Sequence, residues 1–143
     1  PKTLAQVRQF IFLVNRLNSE DKTIHGDVRP PNVLFPDIPE NCERLEDFDE
    51  CYLIDFDLSA KIGEPRRYPD NYCTEYDVFS RHSDARPGNV MTIEHDRFAV
   101  FQCLNFYIHH NPNLFPEEIK SKLTRKIPFE SLFNLFNGNS RTI

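Results

Sequence analysis

The chain has 143 residues, 39% of them hydrophobic and 27% charged, enough apolar material for one buried core and too much for a disordered chain. Seventeen Lys and Arg against 22 Asp and Glu give a net charge of −5, which argues against a surface built for nucleic-acid phosphates or anionic lipid. No apolar run approaches the ~20 residues that cross a bilayer. The opening Pro1-Lys2-Thr3 has neither an initiator Met nor a signal-peptide pattern, so a piece of a longer protein is expected. Cys42, Cys51, Cys73 and Cys103 form no Cys-x-x-Cys pair, and His109 and His110 are adjacent rather than at ligand spacing. Reduced, buried thiols are therefore expected, and with them an intracellular location, cytoplasmic or nuclear.

Leu4, Val7, Ile11 and Val14 recur at three- and four-residue steps, widened by Phe10, Leu13 and Leu17, and predict a helix with one broad buried face. Thr3 and Gln6 have the spacing of a capping box, and Asn18 to Asp21 stop the helix. Residues 24–35 read as a Pro-bearing loop ending in the strand Val33-Leu34-Phe35. Residues 36–50 carry Glu40, Glu43, Glu46, Asp47, Asp49 and Glu50 and read as an exposed acidic insertion. Cys51 to Ile54 form a second short strand, which makes a hairpin with the first. From Lys61 to Met91 there is little periodicity, only prolines, glycines and polar residues; so long an irregular stretch is functional or mobile rather than filler. A helix over 92–110, apolar on most sides through Phe98, Val100, Phe101, Leu104 and Ile108, is expected to be central. Two shorter helices follow within 116–137, one started by Pro116-Glu117-Glu118 and one over Phe129–Phe136 ended by Asn137-Gly138.

Chemistry concentrates in two places. His25-Gly26-Asp27-Val28-Arg29-Pro30-Pro31-Asn32 lies on the rigid loop before one strand, and Asp55-Phe56-Asp57 follows the next. An amide and a carboxylate, Asn32 and Asp55, suit Mg²⁺, a hard cation that prefers oxygen ligands and keeps waters and substrate phosphates in its shell. Asp27 can orient a hydroxyl and accept its proton, while Arg29 can neutralise a transferring phosphoryl group. Phosphoryl transfer asks for positioning and charge stabilisation, which this set supplies in kind.

In these motifs the sequence resembles the carboxy-terminal, catalytic lobe of the protein kinase-like superfamily. His25, Asp27 and Asn32 match His-x-Asp-x-x-x-x-Asn, and Asp55-Phe56-Asp57 stands where the family has Asp-Phe-Gly. Asp96, in His95-Asp96-Arg97-Phe98, is similar to the buried aspartate that begins the family's central helix and braces the catalytic loop. The resemblance covers residues 3 to about 110 and implies an α+β, mainly helical fold with short hairpins carrying the catalytic and metal-binding loops. It implies Asp27 as catalytic base, Arg29 in place of the loop lysine, Asn32 and Asp55 as ligands of Mg²⁺ and through it ATP, and His25, Phe56 and Asp96 as support. It divides the chain into a catalytic loop (24–35), the acidic insertion, a metal-binding turn (55–57), an activation-like segment (58–91), the central helix and the C-terminal helices. The stretch Leu53–Lys61, with Gly63-Glu64 and Arg67-Tyr68-Pro69, is similar to kinase-like domains of Crinkler-type effectors, which would place the protein inside a host cell.

The implied activity is Mg- and ATP-dependent phosphoryl transfer to a hydroxyl, on Ser or Thr of a protein. A pseudokinase acting as an interaction module and a small-molecule phosphotransferase stay open as alternatives. Three departures bear on the choice. Gly26 stands where many members have the arginine that reads a phosphate on the activation segment, which weakens phosphorylation as an on-switch. Asp57 replaces a glycine whose positive φ eases motion of the turn, and no Ala-Pro-Glu is present. The glycine-rich loop, strand lysine and partner glutamate of an amino-terminal lobe are also missing, so that lobe is expected in cis and an isolated carboxy-terminal lobe is expected to be inactive.

Overall fold

In the structure, a computed structural model that describes residues 1–76 and 79–137, the chain is α+β and mainly helical, with small antiparallel ladders. α1 (Leu4–Ser19) is followed by β1 (Thr23–Ile24), β2 (Val33–Leu34), β3 (Tyr52–Leu53), β4 (Ala60–Lys61), β5 (Glu75–Tyr76) and β6 (Phe79–Ser80). Three helices complete the order: α2 (Ile93–His110), α3 (Glu117–Leu123) and α4 (Ser131–Asn137).

α1 starts on the capping box read from the sequence, with Thr3 Oγ1 accepting from the Gln6 amide and Gln6 Oε1 accepting from the Thr3 amide. Its inner face (Val7, Phe10, Ile11, Val14) packs against Ala99, Val100, Cys103 and Leu104 of α2 and against Leu132 and Phe136 of α4. Ile119 and Leu123 of α3 close the same core. Val28 and Val33, from the loop that bears the chemistry, also lie in it at 1% and 5% exposure. Burying a valine stabilises by roughly 1.5–3 kcal/mol, so each acts as a peg driven into the helical layer.

The ladders set the loop geometry. β2 pairs with β3 in the hairpin expected from the sequence (Val33 opposite Leu53), and β1 pairs with β4 (Ile24 opposite Ala60). Loop 25–32 and turn 54–59 are thus pinned together at both ends and must run side by side. The β1–β4 ladder has no sequence signature, because two residues are too few to display a period.

Segment 58–91 departs from the irregular stretch expected. It contains β4 and the β5–β6 pair, an isolated bridge joins Arg67 to Val90, and a second apolar cluster (Ile24, Ala60, Tyr68, Tyr72, Ala85, Met91) lies beneath it. Asp77 and Val78 of this segment, and Gly138 of the expected helix stop, lie outside the described residues. The last helix begins at Ser131 rather than Phe129, because residues 128–132 turn first through bonds from Ser131 N to Pro128 O and from Leu132 N to Phe129 O. The expectation of four buried thiols is corrected: Cys51 and Cys103 are buried, Cys42 is half-buried and Cys73 exposed. Burial pushes the Cys51 thiol up to about 12 and the Cys103 thiol upward as well, so neither is a nucleophile.

The acidic insertion is exposed along most of its length but tied at its base. The fully buried Gln6 side chain donates to Pro36 O (3.0 Å) and Glu50 O (3.2 Å), the two ends of the insertion, while Thr3 Oγ1 donates to Phe48 O. Replacing Gln6 with Leu keeps the bulk but strands these carbonyls and the Thr3 amide. Urea denaturation should show a loss of about 1–3 kcal/mol, and a variant as stable as the parent would refute this tie.

Candidate active site

The site starts from a carboxylate in the core. Asp96, on the first turn of α2, is 1% exposed and accepts three hydrogen bonds: from the His25 amide (2.7 Å), the Gly26 amide (3.0 Å) and Asn18 Nδ2 (3.0 Å). Burial pushes its carboxyl above the ordinary carboxylate range, and the three donors oppose that shift. Two successive backbone N–H groups aimed at one carboxylate fix where the loop begins. Asn18 also donates to Thr23 O (2.9 Å), joining the end of α1 to β1. The sequence marked Asn18 only as a helix stop; it is a buried brace.

Gly26 has φ +84°, and a Cβ built there would meet Leu58 O at 3.1 Å and Met91 Sδ at 3.3 Å. Glycine is needed both for the backbone conformation and for the close approach of the two ends of segment 58–91. That is the physical reason no arginine stands at this position.

His25 is fully buried and links the two loops. Its Nδ1 accepts from the Asp27 amide (3.1 Å), which requires a lone pair there, so Nε2 carries the proton and donates to Ile54 O (2.8 Å). Its ring also meets the Phe56 ring edge-on at 4.8 Å. Both nitrogens are occupied in holding backbone, a supporting role rather than proton exchange.

The Asp27 side chain is 11% exposed and its carboxylate is held by neighbouring side chains. Asn32 Nδ2 donates to Asp27 O (2.9 Å) and Oδ2 (3.0 Å), and Arg29 Nε donates to Oδ1 (3.1 Å). Both acceptors face the Asn32 amide nitrogen, so the amide is oriented without ambiguity and its Oδ1 points away from Asp27. The Asn32 carbonyl accepts from the Ile54 amide at 2.9 Å, which sets Asn32 beside the start of the Asp55-Phe56-Asp57 turn.

Asp55 is exposed and adopts φ +61°, with its Oδ1 accepting from the Asp57 amide at 3.3 Å. The left-handed residue of this turn is Asp55; Asp57, which replaces the family's glycine, does not adopt a positive φ. An aspartate tolerates the left-handed region better than most residues, and a strained backbone of this kind is a feature of functional turns. Arg66 holds the turn from outside by donating to Asp57 O and Ser59 O.

The structure thus brings Asp27, Arg29 and Asn32 together, sets Ile54 opposite Asn32 with Asp55 the next residue along, and puts the buried His25 and Asp96 behind them, while Phe56 lies edge-on to His25 and is 44% exposed. Among the described residues no three His, Cys, Asp or Glu side chains gather as a metal site. Asn32 and Asp55 offer one amide and one carboxylate oxygen, donor types that suit Mg²⁺, which fills the rest of its shell with water and phosphate. No helix among the described residues is long and apolar enough to cross a membrane.

One participant was not foreseen. Arg81, from segment 58–91, is buried and donates from its terminal nitrogen to Asp27 Oδ1 at 2.5 Å. Nothing in an aperiodic polar stretch distinguishes that arginine from a surface one. The chain matches no known protein-family model and no curated protein.

Two outcomes follow from this geometry. Asp96→Ala should destabilise the fold by about 2–6 kcal/mol, roughly 1–3 for each of two buried amides left unpaired; a loss below about 1 kcal/mol in urea denaturation would contradict the bracing role. The second concerns His95, buried, with Nδ1 bonded to Tyr68 Oη (2.8 Å) and Nε2 to Asp84 Oδ2 (3.2 Å). Burial lowers its pKa below the ordinary 6.5, so the unfolded chain takes up the proton more readily and stability falls as pH drops through that value. The denaturation midpoint should decline between neutrality and mild acid in the parent and decline less in His95→Gln. Equal slopes would remove His95 from the account.

Proposed function

We propose that residues 1–143 form the catalytic half of a Mg²⁺- and ATP-dependent, protein kinase-like phosphotransferase acting on a hydroxyl group, with Ser or Thr of a protein as acceptor. The observation that carries the reading is that Asn32, hydrogen-bonded to Asp27, pairs through its backbone with Ile54, so that the two segments separated by the acidic insertion bring the residue before Asp55 to the Asp27–Asn32 pair.

In this reading Asp27 receives the acceptor hydroxyl and takes its proton. Asn32 orients that carboxylate through its amide nitrogen, which leaves its side-chain oxygen for the metal. Mg²⁺, when bound, neutralises charge on the phosphate oxygens. Arg29, at the rim with its side chain 27% exposed, faces the transferring group. Proximity and fixed charge then supply most of the acceleration, as suits a reaction in which the protein does little covalent chemistry.

Support also comes from the surface next to the turn. Leu34, Tyr52, Ile54 and Phe56 are exposed at 45, 51, 37 and 44%, a run of large apolar side chains flanking Asn32 and Asp55. Such a patch marks a binding face. We assign it to the base of the nucleotide and to a covering lobe in cis that grips the phosphates. The Crinkler-type affinity belongs to this proposal as its narrower form.

Measured on the complete protein, Asp27→Asn should lower kcat for transfer of labelled γ-phosphoryl by about 10²–10⁴-fold while leaving nucleotide binding in place. Asp55→Asn should abolish the Mg²⁺-dependent part of an ATP-induced thermal shift. Undiminished transfer by Asp27→Asn would overturn the reading, and a parent protein showing no Mg²⁺-dependent shift would favour an interaction module.

A further inference from the structure

Segment 58–91 is fastened to the catalytic loop at three points. Tyr72 Oη donates to Gly26 O (2.9 Å), Leu58 and Met91 abut Gly26 where a side chain would otherwise be, and the Arg81 guanidinium reaches Asp27. The third contact is the strongest in kind. The Arg81 side chain is 4% exposed, its Cζ lies 4.3 Å from the centre of the Tyr72 ring, and its Nε donates to Cys73 O (3.1 Å). A guanidinium so enclosed does not swing in and out; its planar fork and ring stacking hold it in one place. A buried charge is tolerated only with a counter-charge, and Asp27 supplies one to Arg81.

Three groups then share the Asp27 carboxylate, with Arg29 and Arg81 on Oδ1 and Asn32 on Oδ2. The buried cation belongs to the segment and the carboxylate to the loop. The pair therefore ties the segment to the loop.

We propose that Arg81 is a positioning residue for Asp27, and that segment 58–91 locks onto the catalytic loop through this internal ion pair rather than through a phosphate group added to the segment. This rests on the phosphotransferase reading for its kinetic consequence, though not for the lock itself. The two tyrosines nearest the loop support it: Tyr68 and Tyr72 are 2% and 8% exposed, stacked at 4.3 Å, and their hydroxyls are bonded to His95 and Gly26. These two hydroxyls are enclosed, whereas Ser80 and Ser83 on either side of Arg81 are exposed, and the phosphatase arm of the test covers them.

The test is a double-mutant cycle read by amide hydrogen exchange at Tyr68, Arg81 and Met91, whose amides bond to Asn89 O, Thr74 O and Arg66 O within the segment. Arg81→Met should speed exchange at these amides by about tenfold or more, Asp27→Asn should do likewise, and the double variant should add less than about twofold to either. Arg81→Lys, which keeps the charge, should restore much of the protection. Parent-like exchange in Arg81→Met, independent effects in the double variant, or Lys behaving as Met would each overturn the lock.

On the complete enzyme, Arg81→Met should lower kcat by about tenfold or more with the KM for ATP within about twofold, and phosphatase treatment of the parent should leave kcat unchanged. Equal losses in kcat and nucleotide binding would reduce Arg81 to a folding residue, and a phosphatase-sensitive parent would refute the phosphate-free lock. If the parent transfers no phosphoryl group at all, the phosphotransferase reading fails, while the exchange cycle still decides the lock.

Discussion

A single buried carboxylate sets the frame. Asp96 carries its carboxyl group into the core on the first turn of α2 and is matched there by three N–H donors, two of them consecutive backbone amides of loop 25–32. An acid in that place without partners would be strongly destabilising, so the loop cannot leave without exposing the carboxylate to an apolar interior. The position of His25 and Gly26 follows, and from them the placement of Asp27. The β1–β4 and β2–β3 ladders then close the two functional loops against one another, and His25 spans the gap between them.

This arrangement divides labour by burial. Val28 and Val33 drive the loop into the helical core, while the residues around them, Asp27, Arg29 and Asn32, turn toward the site. Rigidity on one side permits strain on the other, as at Asp55 with its positive φ. Sites held by packed pegs and satisfied hydrogen bonds keep their geometry when charge develops, which is what electrostatic catalysis demands.

Much of this was legible in the sequence, and the part that was not has a physical cause. The periodicity of α1, the apolar circumference of α2, the capping box and the hairpin are local patterns, and local patterns are what a sequence displays. The spacing of Asp27 to Asn32 and the Asp55 turn could be read because each motif lies within a few residues. Asn18, Tyr72 and Arg81 act over 78, 46 and 54 positions of chain separation, and no local pattern records such partners. Segment 58–91 looked irregular for the same reason: its order comes from two-residue ladders, a stacked tyrosine pair and one buried ion pair, none of them periodic. The glycine at position 26 was visible as a departure, but only the proximity of Leu58 and Met91 explains it.

The central claim is that two pinned loops present Asn32 and Asp55 to one divalent cation. Paramagnetic line broadening by Mn²⁺, followed residue by residue in the amide spectrum, tests it most directly. The account predicts broadening centred on residues 31–33 and 54–57 that disappears in Asp55→Asn. Broadening centred instead on the acidic stretch 40–50, and unchanged by that substitution, would contradict it.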